Sequence, residues 1–256
     1  MKKVLFSFCL LLMATYCHAL FRVEYPYFRD LKTLNYETRM KNSGQLLFRE
    51  KVKIEQAKYE GKDFLVTDSF SQGESLNDGG IDRHTLSYYS IDNKRLTAFA
   101  HQVISSGEGI PLHNLQINYD WNKNLADFYS IDHKKRKNIH KMIPLSDSTI
   151  FTRDTTILFP ALISKRINEK HFKTFIPSGH ILSIKALISY IPEEFVISGK
   201  KIECYRIELK PAFPLFSLIA PRITFWYLAA PPHYFVRYEG PLGGPFSPTV
   251  FQELVL

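Results

Sequence analysis

Residues 115–121 read Leu-Gln-Ile-Asn-Tyr-Asp-Trp, so Leu115, Ile117, Tyr119 and Trp121 alternate with Gln116, Asn118 and Asp120. A period of two places the four apolar side chains on one face of a β-strand and the three polar ones on the other. Asn122-Lys123-Asn124 follows as a turn, and Leu125 to Ile131 reads as the return strand of a hairpin. The same grammar recurs on both sides of this segment. Tyr36 to Met40 and Leu46 to Ile54 flank Asn42-Ser43-Gly44, and Leu86 to Ile91 and Leu96 to Val103 flank Asp92-Asn93-Lys94. Further strands are expected at Ala186 to Ile191, Lys201 to Leu209, Ile223 to Leu228, His233 to Glu239 and Thr249 to Val255. Roughly ten strands in one chain predict a mainly β fold, a large curved antiparallel sheet or half-open β-barrel closed by one or two helices.

One segment departs from the period of two. Asp154 to Arg166 carries Ile157, Leu158, Phe159, Leu162 and Ile163, with Asp154 placed to cap a helix start. Pro160 removes a backbone donor inside that span, which favours a shorter helix. A helix laid on one face of a curved sheet would close its core.

The amino terminus reads as an export signal. Lys2 and Lys3 precede an apolar run from Val4 to Ala14, and Cys17-His18-Ala19 offers small residues at the two positions inspected by a signal peptidase. Residues 1–19 are therefore expected to be a cleaved signal peptide, with 20–256 a single β-rich envelope domain. The apolar run is well short of the ~20 residues that cross a bilayer. Cleavage removes Cys9 and Cys17 and leaves Cys204, which reads as a small core residue. Without Lys2 and Lys3, 31 basic residues face 25 acidic ones, a net charge of about +6. For an exported protein this argues for no nucleic acid and admits an anionic membrane surface as partner.

No nucleophile or metal motif stands out: Gly-x-Ser-x-Gly, His-Glu-x-x-His and a cysteine pair are all missing from the sequence. His133 and His140 lie seven residues apart, unlike the tighter spacing of ligand clusters. Asn77 to Asp82 lacks the closing Glu of a calcium loop and reads as a glycine-rich turn. Neither a cofactor nor a metal is expected, and the protein is expected not to be an enzyme. His133 to Lys141 holds five Lys or Arg and no acid, which suits a hairpin tip or edge strand, or a patch for an anionic surface. Pro211 to Phe235 is the most apolar stretch, but Pro211, Pro214, Pro221, Pro231 and Pro232 exclude a lone membrane helix. Within it, a loop is expected at 213–220 and a strand at Ile223 to Leu228 covered on both faces.

Asn118-Tyr119-Asp120-Trp121, Ile143-Pro144-Leu145, Asp154 with Leu158 and Arg166, Gly199-Lys200-Lys201, and Phe225-Trp226-Tyr227 before Pro232 and Tyr234 to Tyr238 occur in an order that resembles a family of exported bacterial β-rich domains of unknown function, family 3108. That family is similar in architecture to the carriers of outer-membrane lipoproteins. The resemblance implies a half-open barrel closed by helices over an apolar cavity, with no catalytic residues to transfer. The expected function is a non-enzymatic cell-envelope protein of a Gram-negative bacterium, in the periplasm or associated with the outer membrane, that binds a lipid or lipoprotein acyl chain. The alternatives are a periplasmic structural or interaction protein without ligand, and an outer-membrane β-barrel. Tyr119, Trp121, Phe128, Phe225 and Trp226 are the expected lining of the cavity, with both tryptophans on its concave face.

Overall fold

A computed structural model describes residues 23–24, 33–75, 79–92, 95–146, 148–213, 220–242 and 247–255. The expected signal peptide, residues 77–78 of the expected glycine-rich turn and residues 214–219 of the Pro-rich loop lie outside them, and Gly79 to Asp82, expected in that turn, belong to a strand. The described residues form sixteen strands: β1 (Val23–Glu24), β2 (Thr33–Met40), β3 (Leu46–Tyr59), β4 (Lys62–Ser75), β5 (Gly79–Asp92), β6 (Arg95–Gly107), β7 (Ile110–Asp120), β8 (Leu125–Asp132), β9 (Lys137–Pro144), β10 (Thr149–Phe151), β11 (Glu169–Phe175), β12 (Ile181–Ile197), β13 (Lys200–Pro211), β14 (Ile223–Leu228), β15 (Phe235–Pro241) and β16 (Thr249–Val255). Helix α1 (Thr155–Ser164) follows β10 after a short 3-10 turn at Thr152–Asp154.

All strands belong to one sheet, ordered β10-β11-β12-β13-β14-β15-β16-β2-β3-β4-β5-β6-β7-β8-β9, with β1 added beside β6. Two meanders are thus joined where β16 pairs antiparallel with β2. The connection from β9 to β10 fixes the shape. These strands stand at opposite ends of the order, yet only four residues separate Pro144 from Thr149, a reach of at most about 18 Å. The sheet must curl until its two ends meet. No ladder joins β9 to β10 among the described residues, so the barrel stays half-open along a seam.

Aromatic contacts close that seam in place of a ladder. Phe175 of β11 lies 6.4 Å from Phe128 of β8 and 6.2 Å from Tyr119 of β7, ring centre to ring centre. Gly179, in the turn between β11 and β12, approaches so closely that an added Cβ would stand 3.1 Å from the Phe128 ring.

Helix α1 lies inside the curl. Ile157, Leu158, Phe159, Pro160, Ala161, Leu162 and Ile163 are all buried, the pattern of a helix surrounded by protein rather than laid on a surface. The helix is shorter than the sequence suggested and retains Pro160 within it. It ends in a paired-hydrogen-bond C-cap: Arg166 N–H donates to Ile163 O and Ile167 N–H to Leu162 O, with Arg166 in the left-handed region at φ +54°. The Arg166 guanidinium lies over the Tyr190 ring at 5.1 Å, which holds this end against β12.

Candidate functional site

The inner wall is legible from strand register. Leu115, Ile117 and Tyr119 point inward, as their alternation requires, while Gln116 and Asn118 face out. Tyr119 joins the main core with Phe128 and Phe225, and Trp121, just beyond the end of β7, packs partly buried against it. The Trp121 indole stacks on Tyr119 at 5.8 Å and 8° and donates from Nε1 to Ala98 O at 2.7 Å.

Trp226 corrects the expectation that both tryptophans share the concave face. It belongs to a separate cluster with Ile197, Cys204 and Val236. Phe225 and Tyr227 take the inward face of β14, so the period of two turns Trp226 outward. There its Nε1 donates to Glu193 at 2.6 Å and the Arg237 guanidinium lies 5.8 Å from its ring centre. The strand is covered on both faces, the outer one by the protein's own β12–β13 hairpin. Cys204 is buried in this outer cluster, and burial, reinforced by the Glu193 charge, pushes its thiol up to about 12.

Asp154 also differs from expectation. Its side chain accepts no capping hydrogen bond from α1. Its carboxylate instead reaches back across the 3-10 turn to accept from Phe151 N–H at 2.9 Å, and accepts from the Tyr89 and Tyr119 hydroxyls at 3.2 and 3.4 Å. His101 Nε2 comes within 2.8 Å of Oδ1, but the ring N–H misses the carboxylate and no directed hydrogen bond forms. The carboxylate and the imidazole are both fully buried. Burial, with the Asp154 charge beside them, raises both tyrosines well above their usual range. Tyrosines from β5 and β7 therefore fasten the start of α1 to the wall.

At this level the interior is occupied by the protein itself: Phe128, Phe151, Phe159 and Phe175 have no exposed surface. Phe159 of α1 meets Phe172, Phe225 and Tyr227 at centroid distances of 5.7 to 6.4 Å. The five residues expected to line a cavity thus separate into three in the core, one at its rim and one on the outer face.

Toward the opposite end of the strands the same inner face turns polar. Register aligns Glu50, Ser71, Arg83, Ser105, His113 and Asp132 in one row across β3 to β8. Ser69, Thr85 and Ser130 stand in the next row inward, and Arg153 reaches in from the 3-10 turn with Nη1 3.2 Å from Thr85 Oγ1. Glu50 accepts from the Ser69 hydroxyl and, at 2.6 Å, from Gln252 Nε2. His113 Nε2 lies 2.9 Å from the Ser130 hydroxyl, and burial lowers its pKa. Sequence reasoning missed this row, because a polar residue every second position looks the same whether it faces solvent or an interior. Only the register shows that Arg83 continues the inward stripe of Thr85, Ser87 and Tyr89.

The basic run occupies the β8–β9 turn and β9, the outer strand at one end of the sheet order. Lys135 pairs with Asp132 at 3.5 Å, and His140 lies 2.7 Å from Asp127. Among the described residues no three His, Cys, Asp or Glu side chains converge as metal ligands.

No protein-family model matches the chain, and no curated protein matches it in sequence. A solved β-barrel-like protein of the domain of unknown function DUF1849 from Brucella abortus shares the fold, with a TM-score of 0.56 over 88% of this chain and 95% of that one at 7% identity. A protein of YmcC-like fold from Bacteroides fragilis aligns over 87% of this chain and 92% of that one at 8% identity, with a TM-score of 0.28. The chain is similar to a β-barrel-like domain of unknown function in its fold alone.

Proposed function

We propose that the protein works outside the cytoplasm as a non-enzymatic binding protein, whose half-barrel takes up an acyl chain or comparable apolar ligand against α1. The observation that carries this reading is the seam. Side-chain contacts such as Phe128 with Phe175 close the apolar interior there, and no strand ladder does, so β8–β9 and β11 can part without breaking backbone hydrogen bonds. No charged side chain lies between Thr155 and Ser164, so the later turns of α1 can shift within such an interior while Asp154 keeps its partners at the start. Burying an acyl chain would supply about 25 cal/mol per Å² of apolar surface removed from water. Export rests on the Lys2-Lys3 start, the apolar run to Ala14 and the Cys17-His18-Ala19 site.

The outward face of β3 weighs against a membrane-spanning barrel. Arg49, Lys51 and Lys53 project from it exposed, where a spanning barrel needs an apolar band. Solvent extraction of the purified protein with mass spectrometry, followed by titration with a fluorescent fatty acid, tests the binding reading. Co-purifying lipid or saturable probe uptake that perturbs Trp121 emission is expected. Repeated absence of both would leave an interior filled only by its own side chains and overturn it.

A further inference from the structure

The polar row near the other end of the strands, with Arg153 beside it, brings together two arginines and two tethered carboxylates, Glu50 and Asp132. Arg83 projects from the inner face of β5, between Ser71 and Ser105 in register. It makes no hydrogen bond and no ion pair with any described side chain, in contrast to Arg39, Arg49, Arg206 and Arg237, which all sit within 4 Å of a carboxylate. Arg153 meets this wall two residues along the same face, at Thr85. The nearby carboxylates take their hydrogen bonds from other groups, although the Glu50 charge is felt by both guanidiniums. Glu50 is engaged by Ser69 and Gln252, and Asp132, at the end of the row, accepts from Lys135 N–H at 2.8 Å and faces Lys135 Nζ. Hydroxyls of Ser71 and Thr85 share the face with the two guanidiniums, while the Ser105 hydroxyl donates to His113 O.

We propose that this mouth of the half-barrel is a phosphate site, in which Arg83 is the principal ligand and Arg153, already oriented by Thr85, is the second. Guanidinium forks fit the oxygens of a phosphate in bidentate fashion. A tetrahedral oxyanion offers enough acceptors for two forks and the neighbouring hydroxyls together, where a carboxylate offers two oxygens. The electrostatics agree. Burial lowers the pKa of both arginines against the opposing pull of Glu50, and for Arg153 the Arg83 charge adds to the lowering and the result is about 10. Two cations that disfavour each other in a partly dry space are relieved by an anion between them. The site needs no opening of the apolar interior, so it stands or falls separately from acyl-chain binding. The phosphate is either the free ion or the phosphodiester of a lipid headgroup, and the two are distinguished by titration.

The test is a thermal melt of the full mature chain with inorganic phosphate against chloride at matched ionic strength. Phosphate should raise the melting temperature saturably by mass action. Arg83→Gln should abolish that rise or weaken the apparent affinity roughly tenfold. Because Arg83 makes no hydrogen bond or ion pair with a described side chain, the variant should melt close to the parent without phosphate, relief of the Arg83–Arg153 repulsion offsetting the lost attraction to Glu50. Arg153→Gln, checked for folding by circular dichroism, should weaken phosphate less than Arg83→Gln. Tighter binding of glycerophosphoglycerol than of inorganic phosphate, lost in Arg83→Gln, would identify a headgroup, and the reverse order the free ion. Equal effects of phosphate and chloride, or a full phosphate response in Arg83→Gln, would overturn the site.

Discussion

Tyr89 and Asp154, 65 residues apart in the chain, meet inside the barrel, where the phenol donates to Oδ1 at 3.2 Å. This contact, its companion from Tyr119 and the Phe151 N–H bond gather on one carboxylate at the start of α1, which Tyr227 also holds by donating to Thr155 O at 3.0 Å. Asp154→Ala would leave Phe151 N–H and two phenolic hydroxyls unsatisfied in a dry site, a loss of about 3–5 kcal/mol. Asp154→Asn keeps an acceptor and should cost less. Urea denaturation monitored by far-ultraviolet circular dichroism measures both, and equal losses would show that the charge, more than the acceptor geometry, secures the helix.

The same tyrosines predict alkaline lability. Burial raises Tyr36, Tyr89, Tyr119 and Tyr227, and takes Tyr190 and Tyr238 to about 12. A phenol whose folded pKa exceeds the unfolded value near 10 keeps its proton in the native state after the unfolded chain has lost it. Its contribution is therefore complete below pH ~10 and drains away as pH rises through the folded value, at about 1.4 kcal/mol per pH unit for each such group. Stability should be flat from pH 8 to 9.5 and fall steeply above that, with the tyrosinate absorbance of these six rings appearing together with unfolding. A pre-transition tyrosinate signal that persists after the exposed Tyr59 and Tyr129 are replaced by Phe and exceeds what the remaining tyrosines outside this set can supply would contradict the burial of these rings.

Much of the architecture was legible because it depends on local alternation. β14 keeps the expected bounds at Ile223–Leu228, and the hairpin after Tyr119 forms where Asn122-Lys123-Asn124 marks a turn. Lys62–Ser75 escaped notice because Leu65 and Val66 break the alternation before Thr67, Ser69 and Ser71 resume it with polar residues on the inner face. Trp226 could not be assigned a face from sequence, since Phe225, Trp226 and Tyr227 are all apolar and either parity satisfies the pattern. Asp154 carried a sound capping signal, but tertiary partners 35 and 65 residues away captured its side chain. The Arg83 row depended on pairing across six strands, which no single stretch of sequence reports.

The two tryptophans should separate stability from binding. Trp121→Ala removes the Tyr119 stack and the bond to Ala98 O, and Trp226→Ala removes the Glu193 bond and the Arg237 contact, so each should cost about 2–4 kcal/mol. Only Trp121 lies at the inner rim. A fluorescent fatty acid should bind Trp226→Ala as it binds the parent and bind Trp121→Ala more weakly, both measured well below the melting temperature. Matching affinities in the two variants would place the apolar ligand somewhere other than beside Trp121.

Gly179 and Gly199 give a controlled test of the seam. Both have positive φ, +71° and +77°, so alanine at either position incurs the left-handed backbone cost of roughly 1–2 kcal/mol. They differ in surroundings: nothing lies within 4 Å of a Cβ at Gly199, whereas at Gly179 it would meet the Phe128 ring at 3.1 Å and the Lys141 side chain at 3.4 Å. Gly179→Ala must therefore push the β11–β12 turn away from β8 and β9, where no ladder resists. Its loss of stability should exceed that of Gly199→Ala. Amide exchange should rise in residues 176–180 for Gly179→Ala alone, and that variant should take up a fatty-acid probe faster than the parent. Identical stability losses together with unchanged exchange at 176–180 would mean that the seam does not bear on Gly179, and that the two ends of the sheet are held by Phe175 and its ring contacts alone.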